Sequence, residues 1–155
     1  MRHPPDCNSC IAVGGSGRRS AGRVGMLRAI TERMGIRDHR ELVCWQFAES
    51  ARRQIFEVAT GSAFEQYRWR REQLLRASSS ACSNMAEGFA RFNPHDFARF
   101  LTMAKGSLVE VRQHLATATS LKLLSETEQQ AIESSIGRSI GAATKLIVYL
   151  KKSRF

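Results

Sequence analysis

The stretch SNMAEGFARFNPHDFARFLTMAKGSLVEVRQHL, from Ser83 to Leu115, decides the fold of this chain. Its first part has the pattern of a helix end, and its last part has the pattern of a second helix. Between them stands Asn93-Pro94. Asparagine is a favoured N-cap, and proline fits the first helical turn because the N–H that it lacks would have no partner there. The stretch therefore predicts two helices joined by a short turn.

The second of these helices carries one apolar stripe with steps of three and four residues, the spacing of an amphipathic helix. Beside the stripe, Gly106 and Ser107 lie in mid-helix, where glycine costs about 1 kcal/mol relative to alanine. A cost of this kind suggests that a neighbouring backbone packs very close, so we predict a tight helix–helix contact at these two residues. The stripe consists of Phe97, Phe100, Leu101, Ala104, Leu108, Val111, Leu115 and Ala118.

Four helices are predicted in all, this one included. One extends from about Arg40 to Ala59, another from about Phe64 to Arg91, and the helix that begins at Pro94 ends near Ser120. The last opens with a Ser125-x-x-Glu128 capping box. Short connections make neighbouring helices antiparallel, so the predicted fold class is all-α, an up-down-up-down four-helix bundle.

Residues 1–38 differ from the rest, because they are rich in Gly, Ser and Arg and show little periodicity. We interpret them as a flexible basic N-terminal tail and residues 39–155 as the bundle. A mis-assigned translation start is an alternative for part of the tail, with Met26 or Met34 as the initiator. No apolar run has the form of a signal peptide or the length of a membrane span. We therefore expect a soluble, cytoplasmic protein without a membrane partner.

The chain is strongly basic, with 24 Lys and Arg against 14 Asp and Glu and a formal net charge of +10. Residues 39–155 alone hold 17 of the cations and 11 of the anions, so the excess is not confined to the tail. A basic body of this size attracts polyanions. Nucleic acid is the first candidate, ahead of an anionic membrane surface or an acidic protein.

Four motifs from Leu42 onward are specific enough to indicate a family. They are Leu42-x-x-Trp45-Gln46, Gln73-x-x-Arg76-Ala77-x-x-Ser80, Asn84-x-Ala86-Glu87-Gly88-Phe89-x-Arg91 and Phe97-x-x-Phe100-Leu101-x-x-Ala104-x-Gly106-Ser107-Leu108-x-Glu110. In these motifs the chain resembles the small bacterial four-helix-bundle proteins first noticed as reading frames in intervening sequences of large-subunit ribosomal RNA genes. It departs from them at Cys82, where they usually have proline, and in a more basic and aromatic run from Tyr67 to Arg71.

The resemblance implies a homopentamer of bundles, a ring around a central channel, with no known catalytic activity and no cofactor. A related branch contains the accessory variability protein of diversity-generating retroelements. That protein is a basic pentameric bundle thought to hold nucleic acid and a reverse transcriptase. By analogy alone, the resemblance adds RNA or DNA and a reverse transcriptase to the candidate partners of this chain.

We interpret the polar residues of the motifs as structural. Asn84 and Glu87 face one side of their helix, and we expect them to hydrogen-bond with Gln73, Arg76, Arg91 or the next helix. No second carboxylate has the spacing of an acid–base pair. Cys7-x-x-Cys10 has only His3 nearby as a third ligand, one fewer than a structural zinc site needs, so an inert tail is favoured over a metal site there. The sequence therefore predicts neither an enzyme nor a metalloprotein. The structural set comprises Gln73, Arg76, Asn84, Glu87, Gly88, Arg91, Gly106 and Ser107.

The candidate nucleic-acid-binding site is the run from Tyr67 to Arg71. Arginine binds phosphate, and an aromatic ring stacks on a base, a combination found in single-strand binding sites. Further cations extend the predicted patch. One interpretation is thus an accessory protein that holds nucleic acid; the other is a structural or protein-interaction scaffold whose charged runs are only solvated surface. The binding set comprises Arg52, Arg53, Tyr67, Arg68, Trp69, Arg70, Arg71, Lys151, Lys152 and Arg154.

Overall fold

Four α-helices make up most of the computed structural model, which describes residues 35–91 and 93–152. Each helix packs against two others, so that the four stand at the corners of a square. No strand occurs in the described ranges, and the predicted all-α four-helix bundle is confirmed. The helices are α1 (Val43–Ala59), α2 (Arg68–Ala90), α3 (Pro94–Ser120) and α4 (Glu126–Lys152), with 3-10 turns at His39–Glu41 and Ser62–Tyr67.

The starts of α3 and α4 follow the predicted capping chemistry. Asn93 Oδ1 accepts the backbone N–H of His95 at 2.8 Å, directly before Pro94 in the first turn of α3. At the start of α4, Ser125 Oγ accepts the backbone N–H of Glu128 at 3.2 Å, and Glu128 Oε2 accepts the N–H of Ser125 at 2.7 Å. These bonds satisfy donors that have no partner inside the helix, which is why both starts are sharp.

The first two helices begin later than predicted. The sequence favoured starts near Arg40 and Phe64, whereas α1 begins at Val43 and α2 at Arg68. In both cases a 3-10 turn occupies the missing residues. Tightening of this kind is frequent at helix ends, and it leaves the apolar spacing almost unchanged. The pattern of apolar residues therefore could not distinguish the turn from the helix.

The apolar stripes of the four helices meet in one core. Ile55, Met85, Leu108 and Ile136, one from each helix in chain order, are fully buried in it. Two buried polar residues, Ser78 and Ser139, lie in the bundle, and the Ser139 hydroxyl donates to the Cys44 backbone carbonyl at 2.7 Å. This bond joins α4 to α1 and gives a partner to a hydroxyl that would otherwise destabilise the core.

The glycine that lies in a tight helix contact is Gly88 and not Gly106. A Cβ atom on Gly88 would lie 2.6 Å from Cβ of Phe100 and 2.9 Å from Cδ2 of Phe97, so only glycine fits where α2 meets α3. At Gly106, no atom of the described residues lies within 4 Å of such a Cβ. The tight contact predicted at Gly106 is therefore wrong, because this glycine is on the outward side of α3. Its neighbour Ser107 does meet α2.

The two ends of the bundle differ in what they bring together. One end, which we call the Arg68 end, contains residues 60–67, the first turn of α2 and the connection 121–125 between α3 and α4. The opposite end, the Pro94 end, contains the start of α3 and the C-terminus of α4. This arrangement follows from the antiparallel order of the helices. It decides which of the predicted binding residues are neighbours.

Of the predicted tail, residues 1–38, only residues 35–38 are among those described. Ile36 is buried in the core, and the Arg37 N–H donates to the Glu41 carboxylate at 3.0 Å. The packed part of the chain thus includes residues before position 39. Met26 and Met34 lie outside the described residues. Within the described ranges, none of the helices has the length and apolar character needed to cross a bilayer.

Candidate nucleic-acid interface

The run from Tyr67 to Arg71 forms the first turn of α2 and the residue before it. Its two rings are unusually open: Trp69 is 59% exposed and Tyr67 is 38% exposed. Arg68 is exposed beside them, while Arg70 and Arg71 are half-buried on the flanks of the helix. The sequence placed this run near the start of the second predicted helix, and in the structure Arg68 is the first residue of α2.

The Trp69 ring and the Arg70 guanidinium contact each other. The guanidinium carbon of Arg70 lies 5.0 Å from the centroid of the Trp69 ring, which is the range of a cation–π interaction. This contact orients an otherwise exposed indole without burying it. The result is an aromatic ring that is held in place and still accessible.

The arginines of this run have no ion-pair partner in the described part of the chain, and the nearest carboxylates in sequence are Glu65 and Glu72. Neither Arg68, Arg70 nor Arg71 forms an ion pair there, and the first turn of α2 contains no acidic residue. The Nε atom of Arg71 is shielded from solvent and has no hydrogen-bond partner among the described residues. Since the N-terminus of a helix is itself partly positive, three cations here repel one another and the helix dipole.

Arg52 and Arg53 of α1 stand in the opposite situation. Glu49 precedes them by three and four residues, and its carboxylate accepts from Arg52 Nε at 2.7 Å and from Arg53 Nε at 3.1 Å. Mainly Arg52, and Arg53 to a smaller extent, lower the pKa of Glu49 from 4.5 to about 2. These two arginines share one carboxylate, so much of their charge is neutralised within the protein.

Tyr67 occupies, relative to Arg70 and Arg71, the position that Glu49 occupies relative to Arg52 and Arg53. The two segments are Glu-x-x-Arg-Arg in α1 and Tyr-x-x-Arg-Arg at the start of α2. The residue at this one position therefore distinguishes an arginine pair that has an ion-pair partner from an arginine pair that has none.

The remaining predicted cations do not join this surface. Lys151 and Lys152 are exposed at the C-terminus of α4, at the Pro94 end. With 27 residues, α4 is about 40 Å long, and this length separates them from the Arg68 end. Arg154 lies outside the described residues. The expectation of one patch that includes the C-terminal lysines is thus wrong for this single chain, because antiparallel packing places them at opposite ends.

Lys122 is a cation at the Arg68 end that the sequence pattern did not indicate. It follows α3 directly and has a left-handed backbone, with φ of 58°. The Lys122 and Leu123 N–H groups close the helix end by bonding the carbonyls of Thr119 at 2.9 Å and Ala118 at 2.9 Å. Glycine is usual at such a position. A lysine after a helix carries no special signal in sequence; only the fold places it near Arg68.

Some of the motif residues form contacts within the bundle, and their partners differ in part from those expected. Asn84 Nδ2 donates to the Ser80 carbonyl at 2.8 Å, and Ser80 Oγ lies 3.0 Å from Ser107 Oγ of α3. Glu87 pairs with Arg91, as the i,i+4 spacing predicted. Gln73 and Arg76, the other expected partners of Asn84 and Glu87, form no hydrogen bond with either of them.

The described cysteines do not have the properties of nucleophiles. Burial raises the pKa of the Cys44 thiol to about 12. Burial, followed by the nearby Glu49 carboxylate, raises that of Cys82 to about 12 as well, and Cys82 Sγ donates to Glu49 Oε2 at 3.8 Å. Both thiols are therefore protonated at neutral pH. Across residues 35–91 and 93–152, His, Cys, Asp and Glu side chains form no cluster that could hold a metal ion.

Comparison with known families gives one match. The model of the family described as 23S rRNA-intervening sequence protein matches residues 40–142, about two thirds of the chain. The chain belongs to this family. A search of curated proteins finds no match.

The family match has a direct bearing on the two arginine segments. Both lie inside residues 40–142 of the 23S rRNA-intervening sequence protein match, which includes all of α1, α2 and α3 and most of α4. Lys151 and Lys152 lie beyond it. The surface at the Arg68 end is thus built on the part of the chain that defines the family, and the C-terminal lysines are not.

Proposed function

We propose that this 23S rRNA-intervening sequence protein is a non-enzymatic, oligomeric protein that binds RNA or DNA at the Arg68 end of its bundle. One observation carries the proposal: Arg70 lies over an exposed Trp69, and Arg68, Arg70 and Arg71 in the same helical turn have no ion-pair partner in the described residues. Phosphate supplies the missing counter-charge. Arginine is well suited to this contact, because its planar guanidinium forms paired hydrogen bonds with phosphate oxygens.

Two further observations support a role without catalysis. The 23S rRNA-intervening sequence proteins are not known as enzymes. In addition, the Cys44 and Cys82 thiols are buried and protonated, so neither supplies a ready nucleophile. The exposed residues at the Arg68 end include the cations Arg68 and Lys122, the rings of Tyr67 and Trp69, and the carboxylates of Glu65 and Glu126.

We propose that the oligomer is the pentameric ring that the family resemblance implies, with contacts through the outward face of α3. Met103 is 46% exposed and Val109 is 57% exposed on this face, and Gly106 lies open between them. Exposed apolar side chains are stabilised when a second copy covers them. A ring repeats the Arg68 end in every subunit, so weak binding by each subunit becomes strong binding by the assembly.

The proposed assembly is tested by mass in solution. Light scattering of the intact chain is expected to give about five times the mass of one chain. The double variant Met103→Glu/Val109→Glu is expected to reduce that mass, since it places charge in an apolar contact. A monomeric native protein would contradict the ring and leave nucleic-acid binding to be judged separately.

The proposed partner in the cell is a reverse transcriptase, for which the ring would present RNA or DNA. This part of the proposal rests on the analogy with the accessory proteins of retroelements. Co-purification of the chain with a reverse transcriptase encoded beside its gene is the expected result. A gene neighbourhood without such an enzyme would remove this partner.

The nucleic-acid proposal is tested with two matched triple variants. One replaces Arg68, Arg70 and Arg71 with Gln; the control replaces Arg99, Lys151 and Lys152, three exposed cations toward the Pro94 end, in the same way. Affinity for a labelled oligonucleotide is measured by anisotropy at about 50 and about 200 mM salt. The first variant is expected to lose at least about tenfold in affinity and to weaken the salt dependence, because fewer counterions are released.

The control variant is expected to bind within about twofold of the native protein, since the salt-dependent term follows the contacted phosphates and not the net charge alone. Equal losses in both variants would show that binding is nonspecific attraction to a basic surface. Absence of binding by the native protein would favour the second candidate, a protein-interaction scaffold. The exposed apolar face of α3 is the observation that favours that candidate.

A further inference from the structure

We infer that the nucleic acid bound at the Arg68 end is single-stranded, and that the Trp69 ring selects it by stacking on an unpaired base. This inference rests on the proposed function, and it adds the class of ligand and the residue that discriminates. Its basis is the contrast between the two tryptophans of the chain and the short span of the arginines around one of them.

The two tryptophans have different surroundings. Trp45 is half-buried against the core and packs edge-on against His39, with ring centroids 5.1 Å apart. Trp69 is 59% exposed, and the ring contact that it makes in the described residues is with Arg70. Trp45 therefore contributes to the fold, whereas most of the Trp69 indole is free to contact another molecule.

The geometry of Trp69 suits a stacked base. Arg70 lies over the ring at 5.0 Å, and the exposed remainder of the ring is open to a second flat group. A base placed there completes a stack of guanidinium, indole and base. In a duplex the base faces are already covered by neighbouring pairs, so a ring can reach them only at an end or after base flipping. An unpaired strand offers a free face at every nucleotide.

The arginines favour one strand as well. Arg68 and Arg71 are three residues apart, which is about 4.5 Å along the helix axis. This span is shorter than the about 12 Å width of a duplex major groove, so Arg68 and Arg71 are placed to contact neighbouring phosphates of one strand and not phosphates on both sides of a groove. Three contacts with a single strand predict a salt slope of about −2 for each subunit engaged.

The first test compares ligands that differ in whether they contain bases and in whether those bases are paired. The full-length chain is titrated with an unstructured oligo-dT and oligo-rU of about 12 nucleotides, with relaxed closed-circular duplex DNA as competitor, and with inorganic polyphosphate, which has phosphates but no bases. Trp69→Ala is expected to weaken binding of both oligonucleotides by about tenfold and to leave polyphosphate binding within about twofold. Trp69→Tyr, which keeps a stacking ring, is expected to restore most of the affinity.

Phe56→Ala is the matched control. Phe56 is a 55% exposed ring on α1, and the arginines of its helix, Arg52 and Arg53, are paired with Glu49. Its removal takes away a comparable exposed aromatic side chain without changing any residue of the run from Tyr67 to Arg71. Oligonucleotide affinity is expected to stay within about twofold of the native value, since no stacking contact is lost.

A second test observes the ring directly. The variant Trp45→Phe keeps an aromatic ring beside His39 and leaves Trp69 as the sole tryptophan, because the chain has two. Its fluorescence is expected to be quenched as oligonucleotide is added and to remain unchanged when polyphosphate binds. Quenching that is equal for both ligands would overturn the stacking assignment.

The outcomes separate the inference from the proposed function. If the native protein binds oligonucleotide but the closed duplex competes equally per nucleotide, or if Trp69→Ala weakens polyphosphate binding equally, single-strand selection fails and nucleic-acid binding stands. If the native protein binds neither oligonucleotide nor duplex, the proposed function itself fails. If Trp69→Ala changes the mass in solution, Trp69 is a contact between proteins and the inference is wrong.

Discussion

The two ends of α2 show how similar sequence features come to have different roles. At its C-terminal end, Glu87 pairs with Arg91, and Gly88 packs against Phe100 of α3. At its N-terminal end, Arg70 and its neighbouring arginines form no ion pair among the described residues, and the aromatic ring beside them is exposed. Both ends combine charge with aromatic side chains, but only at the C-terminal end does the arginine have an ion-pair partner among the described residues.

The difference teaches that satisfied and unsatisfied groups are a better guide to function than motif-like appearance. The segment around Gly88 is the more recognisable in sequence, and its contacts explain it as a joint between helices. The first turn of α2 looks like an ordinary charged run, yet its repelling cations do not stabilise the fold in any evident way. Groups that the fold leaves without partners are the ones available to a ligand.

The largest effect is expected where the joint is disturbed. Gly88→Ala is expected to lower the free energy of unfolding by about 2 kcal/mol, because a Cβ there would lie 2.6 Å from Phe100. Gly141→Ala is the control: no atom of the described residues lies near a Cβ at that exposed helical position, so a gain of about 0.5–1 kcal/mol is expected. Urea unfolding measures both. Equal shifts in the two variants would show that Gly88 is not a packing constraint.

A smaller effect is expected when the first turn of α2 is given its own counter-charge. Tyr67→Glu places a carboxylate three and four residues before Arg70 and Arg71, as Glu49 is placed before its arginines. Affinity for nucleic acid is expected to fall about tenfold, equivalent to about 1.4 kcal/mol. The fold is expected to keep its stability, since acidic residues are favourable at a helix start.

Tyr67→Gln is the control for that variant, because it removes the ring without adding charge. Anisotropy titrations of both variants separate the two contributions. If Tyr67→Gln binds as weakly as Tyr67→Glu, the loss comes from the ring, and neutralisation of the arginines is not what distinguishes the two ends of α2.

The smallest effect is expected when the neutralised arginine pair of α1 is released. Glu49→Gln is expected to lower the free energy of unfolding by about 1 kcal/mol at pH 7, since Arg52 and Arg53 lose a charged partner. Native Glu49 has a lowered pKa, so its contribution is complete above about pH 4.5 and is lost as the pH falls to about 2. The stability difference between native protein and variant is expected to shrink over that interval.

Thermal unfolding from pH 2 to pH 7 measures this prediction. The affinity of Glu49→Gln for nucleic acid is expected to be equal to or above the native value, because two cations are freed. A loss of affinity would mean that Arg52 and Arg53 bind nucleic acid only while Glu49 holds them in position. The contrast between paired and unpaired arginines would then not explain binding.

Much of the fold was predictable from local chemistry. The Asn93-Pro94 turn and the Ser125-x-x-Glu128 box fixed the starts of α3 and α4, because capping bonds form between residues that are close in sequence. The starts of α1 and α2 were missed by a few residues, since a 3-10 turn keeps nearly the same apolar spacing as an α-helix. The position of the tight helix contact was missed because low helix propensity at Gly106 does not reveal which side of the helix it faces.

The sequence by itself determined the four-helix bundle and the capping of α3 and α4, because these depend on spacings of a few residues. Only the tertiary structure decided that Gly88 has no room for a Cβ atom, that Lys122 shares an end with Arg68, and that Lys151 and Lys152 do not. These depend on how antiparallel helices of about 30–40 Å align. Packing brings together residues that are far apart in sequence, and no local sequence pattern shows which residues will share an end of the bundle.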